Sequence, residues 1–161
     1  MKNWAVTIAI ALGLVGYRAA TEASRDESGA IVDAGTLDAF EMRIGDCFDD
    51  TSGLSGDGDD NIENLPGVPC AEPHDNEVFA VFDLDLEAFP EGDQMSQIAF
   101  DACVERFETF VGMDYQSSSL DVMTLYPTPQ SWKHGNDREV VCAVYDMEAN
   151  KLVGSAKGKR I

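Results

Sequence analysis

Basic side chains are scarce in this sequence, which has 11 lysines and arginines against 30 aspartates and glutamates and a net charge of −19 at pH 7. Between residues 40 and 150, four basic side chains accompany 25 acidic ones. Nucleic-acid binding needs clusters of Lys and Arg that replace the counterions of the phosphates. The composition therefore argues against a nucleic-acid partner. An acidic surface favours solubility but does not identify a partner.

The sequence also lacks a hydrophobic run of the roughly 20 residues that a membrane-spanning helix needs. It has an uncharged run of 14 residues, from Trp4 to Tyr17, which follows Lys2. This pattern is typical of the hydrophobic region of a signal peptide. A lipid anchor would require a cysteine at the position of Tyr17. We therefore predict that residues 1–17 are a signal peptide or an uncleaved membrane anchor. The rest of the chain would then be secreted or held at the outer face of the plasma membrane.

Hydrophobic periodicity is missing from residues 18–36, which are rich in alanine, serine and acidic side chains. A segment of this composition buries too little apolar surface to offset the entropy of ordering it, so we predict a flexible acidic tether. We expect the folded domain to extend from residue 37 to residue 161.

The sequence has no Cys-x-x-Cys pair and only two histidines, which argues against a structural zinc site. Its cysteines are Cys47, Cys70, Cys103 and Cys142. An even number of cysteines in an exported domain predicts two disulfides, for which three connectivities exist. We favour Cys47–Cys70, which would close a hydrophilic loop, and Cys103–Cys142, which would tie a helix to a strand.

Two hydrophobic periodicities predict the fold. A period of two from residue 78 to 86 predicts a half-buried strand with Val78, Ala80 and Phe82 on one face. Apolar side chains three and four residues apart predict an amphipathic helix over 95–111, ended by Gly112, with Asp93 or Ser96 as its N-cap. Further strands are predicted over 40–44, 120–126, 139–147 and 151–157. This order predicts an α+β fold, an antiparallel sheet with one long helix packed on a face, cross-linked by two disulfides.

One cluster of residues suggests chemistry: Glu72, His74, Asp75 and Glu77 lie within six positions. A histidine beside carboxylates could act as a general base or bind a divalent metal, which makes a metal-dependent hydrolase centred on His74 one alternative function. No partner nucleophile is evident, however, so we favour a structural role in which His74 caps a turn beside a disulfide.

Two further features have binding and structural interpretations. Trp132 and Arg138 could form a binding ledge, but such a pair more often covers the edge of a core, and we favour that arrangement. Residues 57–61 resemble a calcium loop, although Ile62 and Val68 stand where a glycine and a bidentate glutamate are needed. A calcium-binding acidic surface protein is therefore a further alternative. We predict no catalytic residue, no cofactor and no metal ligand.

Several short motifs together resemble the septum-formation domain family of actinobacteria, over about residues 40–158. They are Ile44-Gly45-Asp46-Cys47-Phe48, the segment from Val68 to Phe79, Cys103 within the helix, Leu125-Tyr126-Pro127-Thr128-Pro129 followed by Trp132, Asp137-Arg138 followed by Val140 and Cys142, and Leu152 followed by Gly154-Ser155. The resemblance implies an exported or membrane-anchored domain linked to the cell envelope and the division septum. It implies no reaction. We expect a non-enzymatic extracytoplasmic domain that interacts with an envelope or division-site protein.

Overall fold

The computed structural model describes residues 22–50, 63–92 and 94–161. Its one long helix is α1 (Gln94–Val111), and short helical turns cover Ala39–Glu41, Tyr115–Ser117 and Ser131–Gly135. Its strands are β1 (Ser24–Arg25), β2 (Ile31–Asp33), β3 (Gly35–Asp38), β4 (Cys47–Phe48), β5 (Asn64–Val68), β6 (Asn76–Asp83), β7 (Leu120–Leu125) and β8 (Glu139–Asp146). The predicted signal peptide or anchor and the calcium-like loop lie outside the described residues.

The strands form a two-stranded hairpin, β1–β2, and a six-stranded sheet in the order β3-β5-β4-β6-β8-β7. Every neighbouring pair in the larger sheet is antiparallel. Helix α1 packs on one face of this sheet, mainly against β7 and β6. The predicted α+β architecture is confirmed.

Helix α1 follows the predicted periodicity, because its buried side chains recur at three and four residues. They are Met95, Ala99, Cys103, Phe107, Phe110 and Val111. The helix ends before Gly112, which adopts the left-handed φ of +82° that favours glycine. Ser96 lies inside the helix and is therefore not its N-cap, while Asp93 lies outside the described residues.

The sheet is buried on both faces, which the prediction of a half-buried strand missed. On β8, Val140, Cys142 and Val144 belong to the core beneath α1, which we call the helix-side core. The alternate residues Val141 and Ala143 belong to a second core on the opposite face, called here the opposite core. Both faces of β8 are therefore apolar, because each one packs against a layer of side chains.

Val78 does not share a face with Ala80 and Phe82, so that prediction is wrong. The pairing of β6 with β8 shifts register between Val78 and Ala80. An extra residue in one strand reverses the direction of the side chains that precede it. Val78 therefore packs in the opposite core, whereas Ala80 and Phe82 pack in or against the helix-side core.

Three segments differ from the sequence-based prediction. The predicted strand over 40–44 is replaced by a helical turn, in which the Asp38 carboxylate accepts a hydrogen bond of 2.8 Å from the Phe40 N–H. The predicted strand over 151–157 is reduced to one bridge between Leu152 and His74. The predicted tether over 18–36 contains the β1–β2 hairpin in its described part, and Ile31 of this hairpin packs in the opposite core.

Both predicted disulfides, Cys47–Cys70 and Cys103–Cys142, are confirmed. The second bond joins α1 to β8, and both of its cysteines are fully buried in the helix-side core. The first bond joins β4 to the start of the β5–β6 connection. Among the described residues, no helix combines the length and the apolar character needed to span a membrane.

Candidate functional site

The predicted cluster around His74 does not form one open site. Glu72 is exposed and Asp75 is partly exposed, whereas His74 and Glu77 are buried to 0% and 1% exposure. The four side chains point into different surroundings because the chain turns at residues 71–74 before β6 begins. The structure therefore separates the residues that the sequence places side by side.

The imidazole of His74 closes the turn that precedes β6. Its Nδ1 lies 2.8 Å from the carbonyl oxygen of Glu72. A carbonyl can only accept, so Nδ1 carries the proton and donates it, which leaves Nε2 as an acceptor. Nε2 is buried and has no hydrogen-bond partner among the described residues. The backbone of His74 exchanges two hydrogen bonds, of 3.0 and 2.8 Å, with Leu152. In this conformation the ring is closed off from any substrate.

Asp75 belongs to a surface ion pair that ties three segments together. Its carboxylate lies 2.9 Å from the Lys151 ammonium, which also contacts Asp49 at 2.7 Å. The Asp50 N–H donates a further hydrogen bond of 2.9 Å to Asp75. Partial burial alone would raise the pKa of Asp75, but Lys151 and the Asp50 N–H outweigh it and lower that pKa. The two hydrogen-bonded carboxylates raise the pKa of Lys151.

The carboxylate of Glu77 lies in the interior, beside the first disulfide. Glu77 faces Cys47 across the β4–β6 pair. A carboxylate oxygen of Glu77 and the sulfurs of Cys47 and Cys70 all lie within 4.8 Å of one another. The two sulfurs are bonded to each other, so neither is available as a thiolate. Two donors from the C-terminal segment satisfy the carboxylate, because Ser155 Oγ and the Ala156 N–H each donate a hydrogen bond of 2.5 Å.

Trp132 and Arg138 lie at the other end of β6 and do not join the His74 cluster. Trp132 is 7% exposed, and the edge of its ring packs against Phe89 with centroids 5.7 Å apart. The Arg138 guanidinium stacks 3.4 Å above the Trp132 ring and donates hydrogen bonds to the carbonyl oxygens of Trp132 and Asp137. One ring face is therefore covered, and the guanidinium satisfies carbonyls at the core edge. The eight residues of β6 separate the two groups by roughly 25 Å.

Two large apolar side chains between β3 and β4 are exposed, which the sequence pattern did not predict. Phe40 and Ile44 are 61% and 59% exposed, while Met42 between them is 4% exposed and lies in the opposite core. We call Phe40 and Ile44 together the Phe40–Ile44 surface. Alternation of apolar residues predicted that all three side chains would share a face. The helical turn Ala39–Glu41 replaces the extended conformation. Met42 therefore points inward, whereas Phe40 and Ile44 point outward.

The buried carboxylate of Asp46 anchors the loop that carries this surface. Asp46 is 2% exposed and accepts a hydrogen bond of 2.7 Å from the Arg43 N–H. The Arg25 guanidinium binds both oxygens of the same carboxylate, with Nη2 at 2.7 Å. A bidentate pair of this kind fixes geometry as well as charge. Phe40 and Ile44 are therefore presented by an ordered loop that is linked to the β1–β2 hairpin.

Two backbone N–H groups of the edge strand β7 are occupied by side chains. Asp121 on β7 accepts hydrogen bonds of 2.5 Å from Tyr115, 3.0 Å from Tyr145 and 2.7 Å from the Val122 N–H. The Leu120 N–H is also taken by a side chain, Ser118 Oγ, at 3.1 Å. Edge donors that are occupied in this way cannot pair with a strand of another chain.

Tyr115, Asp121 and Tyr145 form a hydrogen-bonded group, which we call the Tyr–Asp cluster. This cluster shifts the pKa values of all three side chains. Partial burial, followed by the hydrogen bond and charge of Asp121, raises the pKa values of Tyr115 and Tyr145 to about 12. Burial would raise the pKa of Asp121, but the two tyrosine hydroxyls and the Val122 N–H lower it overall. The cluster is thus held with an ionised carboxylate and two neutral phenols at neutral pH.

Comparison with known proteins gives one family. Residues 32–142 match the family model described as septum formation. No curated protein and no solved structure matches the chain. The match covers more than half of the chain and includes β3 to β7, both disulfides and α1. The segment beyond it still packs in the core, because Leu152 and Ala156 belong to the helix-side core.

Proposed function

The chain belongs to the septum-formation domain family, which links it to septum formation. We propose that it acts there as a non-enzymatic, extracytoplasmic domain that binds a protein of the cell envelope or the division site. The proposal combines the family, the state of the cysteines and the Phe40–Ile44 surface.

The observation that carries the proposal is the pair of disulfides. All four cysteines are bonded in pairs, and three of them are fully buried. Disulfides form and persist in oxidising compartments outside the cytoplasm and are rare inside it. Closing loops of 23 and 39 residues stabilises the fold by roughly 3–4 kcal/mol each. A location outside the cytoplasm would supply the oxidising conditions on which this stabilisation depends.

The Phe40–Ile44 surface supports binding to another protein. Exposed apolar patches mark protein interfaces, and Phe40 and Ile44 are two large apolar side chains on one loop, each more than half exposed. Aromatic side chains in particular contribute strongly when a partner buries them. The burial of His74, by contrast, gives no support to the alternative of a hydrolase centred on that residue. The calcium-binding alternative rests on residues 57–61, outside the described part of the chain.

The proposed surface can be tested by cross-linking in intact cells. The variant Phe40→Ser/Ile44→Ser is compared with Val153→Ser, which also removes an exposed apolar side chain, at 57% exposure. We expect the unmodified chain to give a cross-linked species of defined mass that persists in Val153→Ser and is lost in the double variant. The unmodified chain and both variants should have similar melting temperatures. A cross-linked species that is unchanged in the double variant would overturn the assignment of this surface.

A further inference from the structure

The two disulfides differ in how accessible they are. Cys103 and Cys142 are both completely buried between α1 and the sheet. In the other bond, Cys47 is completely buried but Cys70 is partly exposed at the start of the β5–β6 connection. A thiolate must reach a disulfide sulfur in order to attack it. Of the four cysteines, Cys70 is therefore the one that a reductant can approach in the folded protein.

The groups around the Cys47–Cys70 bond are acceptors of hydrogen bonds. The carbonyl oxygen of Gly45 lies 3.2 Å from Cys70 Sγ. The carboxylate of Glu77 lies within 4.8 Å of both sulfurs. A disulfide has no hydrogen to donate to either acceptor, whereas a reduced pair has two S–H groups. These surroundings therefore suit the dithiol form of the pair as well as the disulfide form.

Glu77 is held in place for this role. It lies directly opposite Cys47 in the β4–β6 register. Its two oxygens each accept one hydrogen bond from the C-terminal segment, from Ser155 and from Ala156, and each keeps a free lone pair. A carboxylate fixed beside a thiol can take the proton that the thiol must lose before it attacks.

We propose that Cys47–Cys70 is a reversible thiol–disulfide exchange site that reacts with a dithiol, that Cys70 is the attacked sulfur, and that Glu77 is the proton acceptor for Cys47. This inference goes beyond the proposed binding function, since it concerns the chemistry of the purified chain and needs no envelope partner.

The exchange balances in two steps. A thiolate of the dithiol attacks Cys70 Sγ, the bond between the two cysteines breaks, and Cys47 leaves with the electron pair and takes up a proton. The second thiol of the reagent loses its proton and attacks the reagent sulfur of the mixed disulfide. The bond between that sulfur and Cys70 breaks, and Cys70 leaves with the electron pair and takes up a proton. The chain gains two electrons and two protons, and the dithiol becomes a disulfide. In the reverse direction Glu77 accepts the proton of Cys47, whose thiolate then attacks a mixed disulfide on Cys70.

The fold is built to survive this reduction. Strand β4 pairs through its backbone with β5 on one side and β6 on the other. Cys103–Cys142 continues to join α1 to β8. Reduction of the first bond therefore releases the connection around Cys70 and leaves the helix-side core in place.

The first test is stepwise reduction of the full chain with dithiothreitol, with alkylation of free thiols and mass spectrometry at each step. We expect Cys47 and Cys70 to be alkylated at least 100-fold faster than Cys103 and Cys142, while near-ultraviolet circular dichroism stays native. Alkylation of all four cysteines together, in step with unfolding, would overturn the proposal.

The second test separates the attack on Cys70 from the role of Glu77. The reduced chain is mixed with oxidised glutathione, and the reaction is quenched and followed by mass spectrometry. In Glu77→Gln we expect the mixed disulfide to form on Cys70 at an unchanged rate, and its displacement by Cys47 to slow about tenfold. Glu72→Gln, an exposed glutamate near Cys70, is the matched control and should react like the unmodified chain. Equal displacement rates in Glu77→Gln and the control would remove Glu77 from the proposal.

Two cysteine variants keep the proposal testable if Glu77→Gln does not fold. Cys47→Ser, which retains Cys103–Cys142, should accumulate one glutathione on Cys70. Cys70→Ser should leave the buried Cys47 unmodified under the same conditions. Faster modification of Cys47 than of Cys70 would contradict the assignment of the attacked sulfur.

Discussion

The part of the molecule beneath α1 and the part around β4 are stabilised by different interactions. The helix-side core is apolar, and the rings of Phe79 and Tyr115 each pack edge-to-face with the ring of Phe107. Around β4, four polar side chains are buried to 2% exposure or less: Asp46, His74, Asn76 and Glu77. We call the two parts the helix half and the β4 half.

This difference predicts how the stability of each half responds to substitution of its buried side chains. An apolar core loses stability in proportion to the volume removed from it. Buried polar groups are costly unless every partner is in place, so the β4 half depends on a few hydrogen bonds. The partners of Asp46 and Glu77 come from distant parts of the chain, from Arg25 and from Ser155 and Ala156. The β4 half is therefore the part that a local chemical change can alter most specifically.

The largest expected effect is the removal of each disulfide. Cys103→Ala/Cys142→Ala should lose about 4 kcal/mol of unfolding free energy, because its 39-residue loop is the longer one. Cys47→Ala/Cys70→Ala should lose about 3 kcal/mol, because its loop spans 23 residues. Guanidinium denaturation of both variants measures the difference. A clearly larger loss in the second variant would show that loop length does not set the relative contributions of the two bonds.

The second-largest expected effect tests whether the stability of the β4 half depends on a buried charge. Asp46→Ala leaves the Arg25 guanidinium and the Arg43 N–H without their acceptor, and we expect a loss of about 2–3 kcal/mol in unfolding free energy. Asp33→Ala removes an exposed carboxylate that is hydrogen-bonded to Ser24, and serves as the control with a change of less than about 0.5 kcal/mol. Equal effects of the two substitutions would refute this dependence.

A smaller effect concerns the Tyr–Asp cluster and pH. The folded-state pKa of Asp121 lies below its ordinary value of 3.8, so the cluster contributes stability above that value and loses it as the pH falls through the folded pKa. Asp121→Asn should lower stability at neutral pH by about 1 kcal/mol and should weaken this acid-side loss. Ultraviolet titration of the variant should also show Tyr115 and Tyr145 ionising below their pKa of about 12. If Tyr115 and Tyr145 titrate in Asp121→Asn as they do in the unmodified chain, the Asp121 carboxylate does not raise their pKa values.

The smallest effect tests how the C-terminal segment caps α1. The Gly158 and Arg160 N–H groups donate hydrogen bonds of 2.8 and 2.9 Å to the carbonyl oxygens of Phe110 and Val111, and Arg160 Nε donates to Gly112. A cation near these carbonyls is favourable because they form the negative end of the helix dipole. Arg160→Ala should therefore lower the melting temperature, by a loss of about 0.5–1 kcal/mol, while Lys157→Ala should not. Equal shifts in melting temperature for Arg160→Ala and Lys157→Ala would contradict a capping role for Arg160.

The helix half could be predicted from the sequence because its signals are local. The three-and-four spacing defines α1, and Gly112 marks its end. The pairing of Cys103 with Cys142 follows from placing one cysteine on the apolar stripe of a helix and the other on a strand. Alternation likewise predicted β7 and β8 within one residue at each end.

The β4 half could not be predicted in the same way because its determinants are separated along the chain. Ser155 and Ala156 reach Glu77 across 78 and 79 residues. The register shift in β6 moved Val78 to the other face, and no local pattern marks that shift. The alternation of Phe40, Met42 and Ile44 suits a strand, but the Asp38 side chain begins a helical turn instead. In this half, local signals predicted the Cys47–Cys70 bond, which closes a hydrophilic loop, and the turn that His74 closes beside it.

The most direct test of the account is disulfide mapping of the chain taken from intact cells, with free thiols blocked at lysis and peptides analysed without reduction. The account predicts the Cys103–Cys142 peptide pair in essentially every folded molecule, together with Cys47–Cys70 in the fraction that has not met a reductant. A folded chain in which Cys103 and Cys142 carry the blocking group would contradict both the extracytoplasmic location and the stabilisation of the helix half.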